Sequence, residues 1–377
     1  MGRRQPQRIA RPGRRRTRTA LRAEEAQGAS LIRIGILGAG AMGVTHAAAY
    51  AGLPDTKVVG VFARDQARAR FVAGLCGAEP FADADALIRH ADVDAIDVCL
   101  PSALHAAFVI PALEQGKHVF CESPLALRLD EARQMRDTAR RAGRLLQVGL
   151  LMRSVGAYAH LKSVVTSGEH GHLLSLSTWR LGSYLRPDAP DRKAHYGDPS
   201  TELMTFDFDA ALWLMGRPAR LSASAVRMES GTPGEISALL SYDDGRHATI
   251  AASGVMPSGF PFSSGFRALF ERAAFELRVV FGGSGPPEST FTIVDETGPP
   301  APVAIQGRNP YEVELQRFVD CIEGRADPEL LDAERAIEAL ELSLATQRAL
   351  ADGAVEIAIG AAQGEPGSWR HRAADIC

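Results

Sequence analysis

Residues 31–63, LIRIGILGAGAMGVTHAAAYAGLPDTKVVGVFA, leave few folds open to this chain. An apolar run through Ile32, Ile34, Ile36 and Leu37 leads into Gly38-Ala39-Gly40-Ala41-Met42-Gly43. A helix-compatible stretch follows, and then a second apolar run from Val58 to Phe62. Strand, glycine turn, helix and strand in that order make one parallel crossover unit, the kind that opens a dinucleotide-binding sheet. Gly38 permits the tight turn, Gly40 lets a pyrophosphate approach the backbone, and Gly43 lets the helix pack closely on the sheet. The helix start, through Ala41 and Met42, then offers unpaired N–H groups and a positive dipole end to phosphates.

The end of the second strand chooses between the two nicotinamide dinucleotides. An NAD site places Asp or Glu there to accept hydrogen bonds from the adenosine ribose. This chain has Ala63 followed by Arg64, with Arg68 one helical turn further on. A carboxylate would repel a 2′-phosphate, whereas a guanidinium beside a small side chain grips it in two-pronged fashion. The expected cofactor is NADP, with NAD as the alternative.

At 377 residues the chain exceeds the usual single-domain size, so two domains are expected. No window approaches the eighteen or so apolar residues of a membrane span. Cys76, Cys99, Cys121, Cys321 and Cys377 are odd in number and scattered, with no Cys/His spacing that suggests zinc or a disulfide framework. No metal site is expected, and a reducing cytoplasm fits best. Residues 1–30 stand apart: nine arginines, two glutamates and almost nothing apolar, which reads as a disordered extension. Without them the formal charge falls from −3 to about −10, and an acidic body does not suit nucleic acid. Only four lysines, Lys57, Lys117, Lys162 and Lys193, stand beside 38 arginines, so any mechanism needing a lysine has four to choose from.

After the second strand the alternation continues. Helical stretches at 67–75, 81–90, 103–116 and 130–143 separate strand-like runs at 94–101, 117–124 and 144–150. Strict alternation implies a parallel sheet covered on both faces. Ligands of such sheets lie beyond the carboxyl ends of the strands, which makes Leu100, Pro101, Ser102, Glu122, Ser123 and Pro124 site candidates by topology alone. From about residue 155 the texture changes. A helix at 157–168 precedes β runs at 173–185, 219–228, 236–245, 246–256, 266–280 and 289–296, with a Tyr-Asp-Asp-Gly-Arg-His hairpin signal at 242–247. Two helices, 311–324 and 333–353, close the molecule. The expected division is 1–30 extension, 31–150 dinucleotide-binding domain, 151–360 substrate and dimerisation domain, and 361–377 flexible tail.

With these segments in place, the chain resembles the glucose–fructose oxidoreductase/inositol dehydrogenase (Gfo/Idh/MocA) family from about Ile32 to Ile357. The resemblance is strongest over VDAIDVCLPSALHAAFVIPALEQGKHVFCESPLAL, residues 93–127. It implies an α/β fold: a Rossmann-type parallel-sheet domain and a C-terminal α+β domain with a large, mostly antiparallel open sheet. It also implies an NAD(P)-dependent oxidoreductase acting on a hydroxyl or carbonyl group of a sugar, cyclitol or related small polar molecule. The substrate would lie between the domains, and the sheet face would form a homodimer or homotetramer. Residue by residue, Gly38, Gly40 and Gly43 match the fingerprint. Pro101 and Ser102 match the turn over the dinucleotide, His105 the histidine opening the next helix, and Glu122 the glutamate of the Glu-Lys-Pro motif.

The catalytic half departs from that pattern. The motif's lysine is Ser123 here. The Asp-x-x-x-His-Asp-x-Asp signature has become Glu202-Leu203-Met204-Thr205-Phe206-Asp207-Phe208-Asp209. Phe206 replaces the proton-relaying histidine, whose ordinary pKa suits proton transfer near neutrality. Two readings follow. In one, hydride transfer survives with a non-standard proton donor, drawn from Lys193, His195, Tyr196 or Tyr184, with Glu202 as the remaining candidate. In the other, the chain binds a nicotinamide cofactor without conventional dehydrogenation, as a sensor, partner subunit or redox-neutral enzyme. Trp179, Arg180 and Arg153 either face the cleft, where arginine suits an acidic or polyhydroxylated substrate, or pack in the core. Asp207 and Asp209 are expected to favour the N-terminal dipole of their helix.

Overall fold

The structure is a computed structural model that describes residues 31–186, 198–282, 287–305, 307–353 and 356–360. Its first half alternates as the periodicity predicts. Strands β1 (Ile32–Leu37), β2 (Thr56–Phe62), β3 (Glu79–Phe81), β4 (Ala95–Val98), β5 (His118–Cys121) and β6 (Leu146–Val148) form one sheet in the order β3-β2-β1-β4-β5-β6. All its pairings are parallel. Every residue of β4 is buried, as expected of a central strand covered on both faces. Helices α1 (Ala41–Ala51), α2 (Gln66–Cys76), α3 (Ala84–Ile88), α4 (His105–Glu114) and α5 (Leu129–Ala142) supply the crossovers. In α5, Ala132, Met135 and Ala139 face the core while arginines line the outside, and Gly143 ends the helix at φ 62°.

The second half builds a nine-stranded sheet from β7 (Leu173–Leu181), β8 (Arg220–Arg227), β9 (Pro233–Ser241), β10 (His247–Ser253), β11 (Phe262–Phe270), β12 (Ala273–Phe281), β13 (Glu288–Asp295), β14 (Ala301–Pro302) and β15 (Ile357–Ala358). Their order is β14-β13-β12-β11-β7-β10-β9-β8-β15. Its pairings are antiparallel except β7 with β10. One face packs on α6 (Gly156–Ser167), α7 (Pro199–Glu202) and α8 (Met204–Met215), where Leu176, Ile250 and Phe266 meet Tyr158, Leu161 and Phe208. The run 266–280, read above as one strand, is a hairpin. Glu271 and Arg272 turn the chain between β11 and β12. No Gly, Pro or Asn marks that turn, so the apolar alternation runs straight through it.

The last two helices cross back. α9 (Pro310–Ile322) packs on α1, and α10 (Ala333–Asp352) lies against both α5 and α8. Leu315, Phe318, Val319, Ile337 and Leu340 enter the core of the parallel sheet, whereas Leu342, Ala345 and Ala349 enter the other. A single cut near residue 150 therefore does not separate the two cores.

Candidate active site

The glycine turn is shaped by steric limits at two of its three glycines. Gly38 sits at φ 119°, and a Cβ on it would lie 2.3 Å from the Cys99 carbonyl oxygen. A Cβ on Gly43 would lie 2.1 Å from the Gly38 oxygen, so helix and turn touch backbone to backbone. Gly40 is exposed and has nothing within 4 Å of a would-be Cβ. No side chain caps α1, whose first N–H groups thus face that open space beside Ala41 and Met42. At the end of β2, Asp65 is occupied: its carboxylate caps α2 by accepting from the N–H groups of Ala67 and Arg68. Arg64 and Arg68 are exposed and form no ion pair with a described residue. These features fit a dinucleotide, with an open anion-binding helix start and two exposed guanidinium groups just after β2.

The carboxyl ends of β4 and β5 carry the next group. Leu100, Pro101 and Ser102 follow β4, and Glu122 and Ser123 follow β5. Ser123 N–H donates to Glu122 Oε2 at 3.1 Å. Across the gap between the sheets, both carboxylate oxygens of Glu202, at the end of α7, stand 3.5 Å from Ser102 Oγ. His105 opens α4, as the resemblance implies. Its ring is wholly buried, with Nδ1 3.2 Å from the Leu125 carbonyl and Nε2 2.8 Å from that of Leu100. Burial pushes its pKa down. It braces the Leu100 loop from below and presents no surface to a cofactor.

Sequence reasoning missed the buried polar group beneath this edge. His46, one turn beyond Gly43 on α1, has no exposed surface. Its Nδ1 lies 2.8 Å from Asp97 Oδ2 and 3.3 Å from Cys99 Sγ, and its Nε2 lies 2.9 Å from Glu122 Oε1. The last contact is off the hydrogen-bond direction, so it acts as a charge contact more than a directed bond. Burial opposes charge on His46, but Asp97, helped by Cys99, outweighs it and holds the imidazole well above its ordinary pKa. From α9, the Tyr311 ring approaches His46 to 6.0 Å, and Glu314 is buried with both oxygens unpartnered among the described residues. Burial, and then the Glu122 charge, push the Glu314 carboxyl well above its ordinary pKa. His46, Asp97 and Cys99 bring ligand-type atoms within 4.8 Å of one another, a grouping that no Cys/His spacing in the sequence indicated. They come from separate elements, so no spacing announces them. The contacts among them are of hydrogen-bond type, which makes the trio a closed polar network.

Asp207 lies in the first turn of α8, as expected, but both it and Asp209 are also held by buried arginines. Asp207 and Asp209 are buried ion-pair partners: Arg180 Nε donates to Asp207 at 2.8 Å, and Arg153 Nη2 to Asp209 at 2.6 Å. Burial pushes both carboxyls up, against the pull of their arginines. The Arg180 guanidinium lies 5.0 Å from the Phe206 ring centre, so a cation covers the position where the resemblance expects an imidazole. Trp179 points to the opposite face of the sheet, where a Cβ on Gly265 would strike its ring. Tyr184 is buried. Lys193, His195 and Tyr196 lie outside the described residues.

The fold and the glycine-lined edge together define a dinucleotide-binding oxidoreductase scaffold. Residues 32–150 match the oxidoreductase-family NAD-binding Rossmann fold of Gfo/Idh/MocA proteins, and residues 158–276 match that family's C-terminal domain. The chain belongs to the Gfo/Idh/MocA family. It is 25% identical over 338 residues to the scyllo-inositol 2-dehydrogenase (NAD(+)) of Bacillus subtilis, covering 85% of this chain and 95% of that protein. It is 32% identical over 187 residues to an uncharacterised B. subtilis oxidoreductase, YrbE, spanning about half (53%) of that relative. Among solved structures, the UDP-N-acetylglucosamine 3-dehydrogenase of Acidithiobacillus ferrooxidans superposes with a TM-score of 0.71 at 25% identity, covering 85% of this chain and 97% of that one.

Proposed function

We propose that this protein interconverts a hydroxyl and a carbonyl group on a sugar, cyclitol or related small polar molecule, using a nicotinamide dinucleotide and carboxyl groups in place of the missing lysine and histidine. The observation that carries this reading is the approach of Glu202 to Ser102. It brings an acid of the second sheet's helices to the open edge of the dinucleotide fold, where Glu122 also stands. Gly38, Gly40, Ala41, Met42 and Gly43 would cradle the pyrophosphate, with Leu100, Pro101, Ser102 and Ser123 along the nicotinamide end. When bound, the dinucleotide supplies or accepts the hydride. Arg64 and Arg68 favour NADP, since the one carboxylate nearby, Asp65, is turned to the start of α2. General acid or base groups are worth roughly 10²–10⁴ in rate, so replacing the usual pair leaves turnover within reach.

The relatives named for inositol and sugar-nucleotide dehydrogenation support this substrate class. No helix among the described residues is long and apolar enough to cross a membrane. A cytoplasmic homodimer or homotetramer, joined through the free face of the nine-stranded sheet, completes the proposal.

Fluorescence titration with NADPH and NADH, followed by a panel of polyols and their keto forms, tests it. Tighter NADPH binding with turnover on the panel is expected, and Ala63→Asp should reverse the cofactor preference. A wild-type preference for NADH of tenfold or more, about 1.4 kcal/mol, would overturn the NADP assignment. Cofactor binding with no turnover anywhere would replace the dehydrogenase with the sensor or redox-neutral alternative.

A further inference from the structure

The carboxyl groups of the proposed mechanism can take and return a proton, but none of them can stabilise negative charge on the reacting oxygen. A lysine at position 123 or a charged histidine at position 206 would meet that charge, and Ser123 and Phe206 do not. We infer that Arg180 supplies the missing cation, as a catalytic residue whose unspent guanidinium nitrogen binds the substrate oxygen that becomes, or ceases to be, a carbonyl. The inference deepens the dehydrogenase reading and rests on it.

Three observations carry it. Arg153 and Arg180 each pair with an acid of α8, yet they differ in what they have left. Arg153 gives Nε and Nη2 to Asp209 and Nη1 to the Leu330 carbonyl, so each of its nitrogens is used. Arg180 gives Nε to Asp207 and Nη2 to Met152 Sδ, and its Nη1 has no hydrogen bond to a described residue. That nitrogen is not sealed from solvent, and the Arg180 side chain is 9% exposed against 4% for Arg153. Second, the guanidinium lies against the segment that carries Glu202. Only Leu203, itself in a right-handed helical conformation, parts α7 from α8, so Glu202 and Phe206 stand one turn apart. Arg180 is centred 5.0 Å from the Phe206 ring, and Glu202 reaches Ser102 at the open edge. Third, Tyr311 feels charge from both halves. Burial raises its pKa, the Glu122 charge adds to the rise, and the Arg180 charge opposes it. Arg180 therefore addresses the gap between the sheets from one side, and Glu122 from the other.

In the oxidising direction, the substrate hydroxyl gives its proton to the Glu202 carboxylate. The C–H bond on the same carbon gives its hydride to the oxidised dinucleotide, and the electron pair left on oxygen closes the carbonyl bond. A carboxylate is a weak base for an alcohol, so this step needs a cation to hold the developing alkoxide. A guanidinium stays charged at every working pH and directs its N–H groups in a fixed plane. With Nε and Nη2 anchored, Arg180 meets the oxygen without reorganising, the condition under which such electrostatic stabilisation is strongest. Reduction runs the same steps backwards. Hydride adds to carbon, the π pair moves onto the oxygen held by Arg180, and Glu202 returns the proton. Phe206 then has a use of its own, since its ring steadies the guanidinium.

The experiment follows kcat, dinucleotide affinity by fluorescence and the urea midpoint of the full-length enzyme, using the panel of polyols and their keto forms. Arg180→Gln should lower kcat by roughly 10²–10³, the loss expected when one donor to a developing oxyanion is removed, with dinucleotide affinity unchanged. Because that change strands Asp207, the decisive variant is Arg180→Met with Asp207→Leu, which replaces the buried pair by apolar groups that folded proteins tolerate. It should show the same loss of kcat with a urea midpoint no lower than wild type. Adding Ser123→Lys to it should restore at least tenfold in kcat. That lysine brings a cation from the other sheet, which no repair of packing around Arg180 could do. The matched swap, Arg153→Met with Asp209→Leu, should keep kcat within tenfold of wild type. A neutral-pair enzyme that turns over within tenfold of wild type, or that gains nothing from Ser123→Lys, overturns the role of Arg180 and leaves the dehydrogenase intact. An equal loss at the Arg153 pair does the same, by tracing the effect to packing. Absence of any dinucleotide-dependent turnover in wild type instead overturns the dehydrogenase reading, and the role of Arg180 with it.

Discussion

Arg153 and Asp209 decide, at the scale of single residues, what a buried charge is for. Their side chains are 4% and 1% exposed, and three guanidinium contacts of 2.6–3.2 Å join them. Arg153 also donates to the Leu330 carbonyl at 3.0 Å, tying α8 to the segment ahead of α10. Removing one partner strands the other in a medium that cannot solvate it. Asp209→Ala should therefore cost about 3–5 kcal/mol of folding stability, visible as a lower urea midpoint, while replacement of the exposed Arg70 should leave the midpoint where it is. This pair was not legible in the sequence, because nothing in the spacing of residues 56 positions apart tells which arginine meets which acid. The glycines were legible for the opposite reason. Gly38, Gly40 and Gly43 act through their own backbones, so their reason for being glycine is local. His46 falls between the two cases: its place one turn after Gly43 was visible, but its partners Asp97 and Glu122 sit on strands that only the sheet order brings together.

Among elements, α9 shows how one helix alters the chemistry beside it. Leu315, Phe318 and Val319 dock it in the parallel-sheet core, and that docking carries Glu314 into the same interior. Burial raises the Glu314 pKa above its unfolded value, so the folded state binds the extra proton. Stability from this group is therefore present below the unfolded pKa of about 4.3 and is lost as pH rises through the raised folded value. Glu314→Gln keeps the shape and lacks that slope. Thermal midpoints measured from pH 5 to 9 should favour the variant increasingly toward alkaline pH, and a constant difference would show that folded and unfolded Glu314 bind protons equally in that range. The sequence indicated where α9 lies but not what it joins. Its amphipathic stripe names one apolar face, and either sheet would have accepted it. The β11–β12 hairpin failed differently, since a turn without glycine or proline leaves the alternation unbroken.

Across the whole molecule, the nine-stranded sheet has one covered face and one open one. On the open face Leu239 pairs with Thr249, Thr249 with Ser177, and Ser177 with Arg267, one row across four neighbouring strands. Leu239 and Leu269 stand 39% and 44% exposed on it. A flat face with apolar residues near its middle suits a second copy of itself. The double change Leu239→Glu with Leu269→Glu should shift sedimentation toward the monomer while preserving the melting profile at high protein concentration. An unchanged sedimentation coefficient would place the contact elsewhere. The backward crossing of α9 and α10 bears on motion as well. The chain leaves the nucleotide half near residue 150, re-enters it through α9 and crosses back along α10 to β15, so three separate spans of backbone link the halves. A body tied together at three places is barred from twisting freely like beads on a thread. Any opening that admits substrate past Ser102 and Glu202 would then follow a restricted path, and each closure would return the Glu202 carboxylate to the same register beside Ser102.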